Sequence, residues 1–181
     1  MIHILTGPVH SGKTTLLRKL TADLESQNIS VDGFLSLAAK TGDESIGYDL
    51  YEIRKETSTP FIRKTGEEGW QRIGNYVFIP ETLDTAQKII LSANPSDLRI
   101  IDEIGPLELE GRGIWPALAQ ALRLNSPDLL CVIRNTICDL WIEKLKHRPI
   151  KIFDMTDENL YPKMRQHVEE IVISKKKVNS K

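Results

Sequence analysis

Apolar residues along this chain form short runs whose spacing changes character three times. Ile2 to Leu5 is a brief, mostly apolar run that ends in a glycine-rich turn. Thr14 to Leu24 then places Leu16, Leu17, Leu20 and Leu24 at helical spacing. A strand, a loop and a helix are therefore expected early in the chain. The texture then shifts: Ile29 to Leu37, Ile46 to Ile53 and Tyr76 to Ile79 are β-like, with Pro60-Phe61-Ile62 as a further short piece. Gly42-Asp43-Glu44 separates the first two as a hairpin turn would. With no helical pattern between these runs, residues 30–79 predict an antiparallel insertion or sheet edge.

Alternation resumes at Pro80-Glu81-Thr82, which opens a helix running to about Ala93, where Asn94-Pro95 stops it. Strands follow at Leu98 to Ile101, Leu129 to Ile133 and Ile150 to Phe153. Helices are expected at Ile114 to Leu124, Ile137 to Leu145 and Leu160 to Ile173. Continuous apolar strands alternating with helices predict an α/β fold, a mostly parallel sheet covered on both faces. The expected organisation is one domain, 1–174, followed by a disordered basic tail, 175–181, that contains Lys175-Lys176-Lys177 and Lys181.

Composition narrows the function classes. The 181 residues are 40% hydrophobic, enough for an ordinary core, and carry a formal net charge of -1. That balance argues against a dedicated nucleic-acid binder, which would carry a basic excess. No run approaches the roughly 18 apolar residues of a membrane span. Met1-Ile2-His3-Ile4-Leu5 has no cationic leader pattern, so a cytoplasmic protein is expected. Cys131 and Cys138 match neither a disulfide framework nor a zinc site and read as buried, reduced thiols.

Chemistry enters at the first turn. Gly7-Pro8-Val9-His10-Ser11-Gly12-Lys13-Thr14 fits G-x-x-x-x-G-K-[ST] at every fixed position. Gly7 and Gly12 let the backbone curl so that successive N–H groups converge on a phosphate. The helix after Gly12 adds the positive end of its dipole. Lys13 is expected to reach the β- and γ-phosphates, the Thr14 hydroxyl to ligate Mg²⁺, and Thr15 to lie beside the phosphates. His10 and Ser11 occupy variable positions of the loop.

A second constellation ends the strand Leu98-Arg99-Ile100-Ile101 in two acids, Asp102 and Glu103. At the carboxyl end of a core strand, where open α/β sheets bind ligands, Asp102 is expected to hold the Mg²⁺ shell. Glu103 is expected to orient and deprotonate a water in line with the γ-phosphate. An acid directly after the metal-binding one favours activation of water over transfer to another substrate.

Asp102-Glu103-Ile104-Gly105-Pro106-Leu107-Glu108-Leu109 resembles the signature of the P-loop nucleoside-triphosphatase family that includes the cancer-related nucleoside-triphosphatase and thermophile relatives. Gly33-Phe34, Gly47-Tyr48-Asp49, Arg72-Ile73-Gly74-Asn75-Tyr76, Val132-Ile133-Arg134 and Thr156 with Asn159 resemble further segments of that family in order. The resemblance implies a three-layer P-loop NTPase fold, RecA-like or kinase-like, and Mg²⁺-dependent hydrolysis of a nucleoside triphosphate, ATP, GTP or others, with broad base tolerance. It implies Lys13, Thr14, Asp102 and Glu103 as the working set. The chain departs from the family at Leu35-Ser36-Leu37-Ala38-Ala39, where relatives carry Thr and acidic residues.

Other residues carry weaker signals. Arg134, after a buried strand, is a candidate to stabilise charge on the phosphoryl group or simply a surface arginine. Asn159 is a candidate reader of the base edge, while Thr156 or Asp157 suits a helix cap. Arg63, Lys64 and Arg72 read as a lid or a solvated loop, and Glu108 and Glu110 as an extended acidic site or exposed carboxylates. Trp70, Trp115 and Trp141 suggest packing. Two other functions fit the same core: a nucleoside, nucleotide or small-molecule kinase, whose acceptor pocket residues 30–79 would supply, and a nucleotide-dependent switch acting through a protein partner.

Overall fold

The computed structural model describes residues 1–124 and 127–179. Strands β1 (Ile2–Gly7), β2 (Val31–Thr41), β3 (Glu44–Glu52), β4 (Thr57–Arg63), β5 (Arg72–Ile73), β6 (Tyr76–Phe78), β7 (Leu98–Ile104), β8 (Asp128–Arg134) and β9 (Ile150–Asp154) form one nine-stranded sheet. Its order is β5-β6-β4-β3-β2-β7-β8-β1-β9. The helices are α1 (Lys13–Glu25), α2 (Pro80–Ile90), α3 (Pro106–Leu109), α4 (Trp115–Arg123), α5 (Asn135–Leu145) and α6 (Leu160–Asn179).

Strands β2, β7, β8, β1 and β9 pair in parallel, and β3, β4, β6 and β5 extend the same sheet antiparallel from β2. The β-rich stretch is therefore the sheet's edge and not a separate insertion. β2 belongs to both halves: Val31 to Phe34 pair with β7, and Phe34 to Thr41 pair with β3.

Successive side chains of the central strands feed two cores, as strand alternation requires. Ile4, Ile101, Cys131 and Ile133 join Phe34, Ala86, Leu118 and Trp141 on one face. Leu5, Ile100, Leu130 and Val132 join Leu17, Leu20, Met164 and Val168 on the other. Helices α1 and α6 thus cover one face, and α2, α4 and α5 the opposite one. Each fully buried Leu or Ile contributes roughly 1.5–3 kcal/mol of burial free energy. Both cysteines are free and buried, and burial pushes the Cys131 thiol up to about 12. Among the described residues, no helix is long and apolar enough to cross a membrane.

A buried ion pair joins the two halves of the sheet. Asp32 and Arg99 are register partners across β2 and β7. Arg99 Nε and Nη2 donate to the two Asp32 carboxylate oxygens at 2.8 and 2.7 Å. The same guanidinium donates to the carbonyls of Ile90, at 2.5 Å, and Ser92, at 3.0 Å. These groups end α2, and their capture by Arg99 satisfies acceptors that the helix leaves open. α2 therefore closes at Ile90, before the Ala93 expected from Asn94-Pro95.

The C-terminal expectation is corrected over most of its length. The tail from Lys175 is helical through Asn179, while Ser180 and Lys181 lie outside the described residues. Lys175 Nζ lies 2.8 Å from Asp128 Oδ1, and Lys176 Nζ lies 3.0 Å from Asp97 Oδ2. Lysines near a helix C-terminus also meet a favourable dipole. Tertiary acids thus order a run that charge alone would leave solvated.

Two tests follow from this packing. Arg99→Met leaves the Asp32 carboxylate buried without its partner and is expected to lower stability by about 3–5 kcal/mol in urea unfolding. Asp32→Leu added to Arg99→Met should recover much of that loss; a single-variant loss below about 1 kcal/mol would show that the pair is dispensable. His3 is 1% exposed, its ring 5.3 Å from His167 and 6.3 Å from Phe153. Burial lowers its pKa from 6.5 to about 4, against the raising influence of Asp128. Between those values the unfolded chain binds the proton that the folded chain refuses, so stability rises with pH through the window. His3 alone should therefore lower the unfolding free energy by up to about 3 kcal/mol from pH 7 to pH 4, read as the difference between the pH profiles of the unaltered protein and His3→Phe.

Candidate functional site

β1 runs buried to Gly7, the chain turns through Pro8 to Gly12, and α1 begins at Lys13. Gly7 has φ +151°, and a Cβ there would come within 2.6 Å of Met155 Cβ. Gly12, the N-cap of α1, sits at φ +88° in open space, so its constraint is conformational and not steric. Ser11 N donates to Pro8 O at 3.3 Å, closing the turn, and His10 takes a left-handed φ of 61°. Pro8, Val9 and His10 are exposed, and Thr15 faces solvent on the first turn of α1. The loop therefore presents its backbone at a helix N-terminus, the arrangement that receives anions.

Lys13 folds back over this loop. Its Nζ donates to Pro8 O at 2.7 Å, Gly7 O at 3.1 Å and Ser11 Oγ at 3.4 Å. Burial lowers the Lys13 pKa, opposed by the charges of Glu103 and Asp102. The ammonium is thus held where an incoming phosphate would meet it, on carbonyls it can exchange for phosphate oxygens.

Eighty-eight residues away in sequence, β7 brings Asp102 to the same place. Thr14 Oγ1 donates to Asp102 Oδ2 at 2.8 Å. Ser36 N donates to the same oxygen at 3.3 Å, and the Ser36 hydroxyl donates to the Asp102 carbonyl. Asp102 is 2% exposed, and burial pushes its carboxyl up to about 7, with the Thr14 hydroxyl the largest opposing influence. Glu103 follows, half-buried, and accepts a hydrogen bond from Arg134 Nε at the end of β8. One set of strand ends so collects Lys13, Thr14, Asp102, Glu103 and Arg134.

A model of the NTPase family matches residues 2–175. The chain belongs to that family. It is 30% identical over 180 residues to the cancer-related nucleoside-triphosphatase homolog of Bos taurus, covering 91% of this chain and 95% of the relative. It is 27% identical over 157 residues to nucleoside-triphosphatase THEP1 of Methanocaldococcus jannaschii, covering 86% of this chain and 88% of the relative. The solution structure of a human cancer-related nucleoside triphosphatase superposes with a TM-score of 0.69 at 29% identity, covering 94% of this chain and 95% of that one. The family's P-loop α/β fold is the architecture described above.

Placement of the remaining candidates is mixed. Asn159 is exposed just before α6, where its N–H donates to Asp157 Oδ1 at 2.9 Å. Thr156 N and Oγ1 both donate to Asp154 Oδ1, at 2.9 and 2.8 Å, so this segment forms a self-satisfied turn. Arg63 is tied to Asp49 and to the Tyr48 carbonyl, and Lys64 pairs with Glu44 at 2.9 Å. Arg63 ends β4 and Lys64 follows it, and both are bound to their own hairpin. Glu108 is neither exposed nor part of an acidic site. At 3% exposure it accepts from Gly105 N at 2.8 Å and Ile114 N at 3.2 Å, shaping the turn after Glu103. Trp115 and Trp141 pack at 5.4 Å under the Lys144 ammonium.

Ser36 is the site residue that the sequence reading missed. It lies in the stretch read only as a departure from the NTPase family. A lone hydroxyl at the alternate position after Phe34 was the available signal, since Phe34, Ser36 and Ala38 share one side of β2.

Asp102 gives the site a pH-dependent cost. Its folded pKa lies above the ordinary 3.8, so the associated stability is fully present below that value and is lost as pH rises through about 7. Asp102→Asn should therefore raise Tm of the nucleotide-free protein by several degrees at pH 8 and by much less at pH 5. Equal shifts at both pH values, read by calorimetry, would remove ionisation of Asp102 as the cause.

Proposed function

We propose that this protein hydrolyses nucleoside triphosphates to nucleoside diphosphate and phosphate, with Mg²⁺ as cofactor. The observation that carries this reading is the 2.8 Å contact of Thr14 with Asp102, which joins the P-loop to the acid pair at the end of β7. Family membership and the names of the relatives support it.

The residues present fit a magnesium ion. A hydroxyl and a buried carboxylate, both hard oxygen donors, stand together beside the loop. The raised carboxyl of Asp102 is what a carboxylate shows when buried without a counter-cation. Among the described residues no group of three or more His, Cys, Asp or Glu could hold a metal. Two protein oxygens suit Mg²⁺, which keeps waters and takes further ligands from substrate phosphates. When bound there, the ion would neutralise charge on the β- and γ-phosphate oxygens.

The chain's own residues supply the rest. Backbone N–H groups of Val9, His10, Ser11, Gly12, Lys13 and Thr14 bind the phosphates, Gly7 and Pro8 shape the turn that aims them, and Thr15 lies beside them on α1. Lys13 exchanges its carbonyl partners for phosphate oxygens. Glu103 orients a water and accepts its proton as the oxygen attacks the γ-phosphorus. Arg134 holds the Glu103 carboxylate in place and, at 42% side-chain exposure, can swing to the transferring group. Asn159 has an exposed position suited to contact with the base, and no base preference is assigned to it. Two buried, reduced thiols suit a cytoplasmic protein.

Phosphate release from ATP, GTP, CTP, UTP and ITP, with and without Mg²⁺, tests the reading. Hydrolysis should need the ion and fall by roughly 100-fold or more in Lys13→Ala. Glu103→Gln should keep nucleotide affinity within a few-fold while losing roughly 100-fold or more in kcat. Full turnover in Glu103→Gln would remove Glu103 as the base. Tight binding with negligible release by the unaltered protein would overturn hydrolysis as the main activity.

A further inference from the structure

Beyond the phosphate loop the molecule carries a cleft of about 570 Å³, walled by the antiparallel half of the sheet and by the turn after β7. Ser36, Glu103 and Arg134 line it, and none of residues 7–14 does. It therefore meets the candidate site at Ser36, Glu103 and Arg134, away from the cradle that would hold the nucleotide phosphates. An attacking water occupies about 30 Å³. The cleft beside Glu103 is far larger than one water needs and falls within the range of small-molecule sites.

The walls have a definite chemistry. Ile73, Phe78 and Leu107 give an apolar surface, and the rings of Tyr48 and Tyr76 stand 6.0 Å apart at 60° with hydroxyls available to a ligand. Such walls favour a flat ring over a flexible polar chain. Two guanidinium groups also reach the cleft. Arg112 lies 3.3 Å from Glu110, whereas Arg72 carries no ion pair among the described residues and is exposed at the start of β5. An anionic group on the ligand would match Arg72.

We propose that this cleft seats a second substrate, a small flat ring bearing a hydroxyl and an anionic group, whose hydroxyl takes the γ-phosphoryl group in place of water. The proposal rests on the hydrolytic reading of the same acid pair. The acceptor oxygen bonds to the γ-phosphorus as the bond from that phosphorus to the bridging oxygen breaks. The electron pair leaves with the nucleoside diphosphate, and the hydroxyl proton passes to the Glu103 carboxylate and on to solvent. No oxidation or further reactant is involved. Water-driven hydrolysis is then the default outcome when the cleft holds no acceptor.

The test uses the full chain with Mg²⁺ and ATP and, as probes, 4-(hydroxymethyl)benzoate and pyridoxine 5′-phosphate. Saturation-transfer NMR reads binding of each ring, and ³¹P NMR separates a new phosphoester from inorganic phosphate. The expected result is ring contact with at least one probe and a phosphoester that forms only with ATP present. Ile73→Trp, which fills the cleft, and Arg72→Ala, which removes the cation, should each lower the ratio of phosphoester to inorganic phosphate at least tenfold. Thermal unfolding of both variants identifies any loss due to misfolding, and the Arg72 variant changes an exposed side chain. Absence of ring contact for both probes overturns the proposal, and so does contact without phosphoester. Lack of phosphate release from ATP alone would instead overturn the hydrolytic reading, while ring contact would still report on the cleft.

Discussion

The bidentate contact of Arg99 with Asp32 sets the geometry on which the rest of this molecule depends. It fixes β2 beside β7 at the line where the parallel half of the sheet becomes antiparallel. The same guanidinium binds the last carbonyl of α2, Ile90, and that of Ser92 just beyond it, so one side chain joins a strand register to a helix end. A one-residue slip between β2 and β7 would put Ser36 on the wrong side of the sheet and remove it from Asp102. Burying both charges is costly, and the fork-to-fork geometry with added backbone acceptors offsets that cost. Stability and site geometry are thus tied to one pair.

The candidate site carries the opposite balance. Asp102 is buried, accepts two hydrogen bonds at one oxygen, and still has its carboxyl pushed up to about 7 by burial. In the nucleotide-free protein this residue is a source of strain in the electrostatic sense, and a divalent cation would relieve it. Lys13 is similarly placed, its charge disfavoured by burial and supported by Glu103 and Asp102. The Lys13 ammonium is bonded to Pro8 and Gly7 carbonyls and not to either acid, whereas Arg134 is paired directly with Glu103. Proteins commonly give up stability at such positions.

The antiparallel half also walls the cleft beside Glu103. Tyr48, Arg72, Ile73 and Tyr76 come from β3, β5 and β6 and face the turn that Glu108 holds after Glu103. Glu108 does this through backbone N–H groups, so its carboxylate shapes the wall without adding an accessible acid. Glu103 thereby has two neighbourhoods, the glycine loop from Gly7 to Gly12 on one side and an apolar cleft on the other.

Local grammar along the chain was sufficient for much of this. Apolar runs alternating with helical spacing announced the parallel strands, and Gly42-Asp43 announced the β2–β3 turn, because these patterns depend on near neighbours. The spacing of Gly7, Gly12, Lys13 and Thr14 announced an anion-binding loop for the same reason. The four-residue helix α3 and the two-residue strand β5 left no periodic trace, being shorter than the repeats that reveal such elements. Lysines 175 to 177 looked like a solvated tail because their partners, Asp128 and Asp97, lie far off in sequence. Ser36 looked incidental because its partner Asp102 stands 66 residues away. By itself, then, the sequence determined the order of the longer elements, the glycine-rich turn between β1 and α1, and the acids near the end of β7. Tertiary structure decided what Asp102 touches, where Arg134 and Glu108 point, and that a cleft opens beside Glu103. Those outcomes depend on contacts between distant residues, and such contacts exist only once the two cores have closed around the sheet.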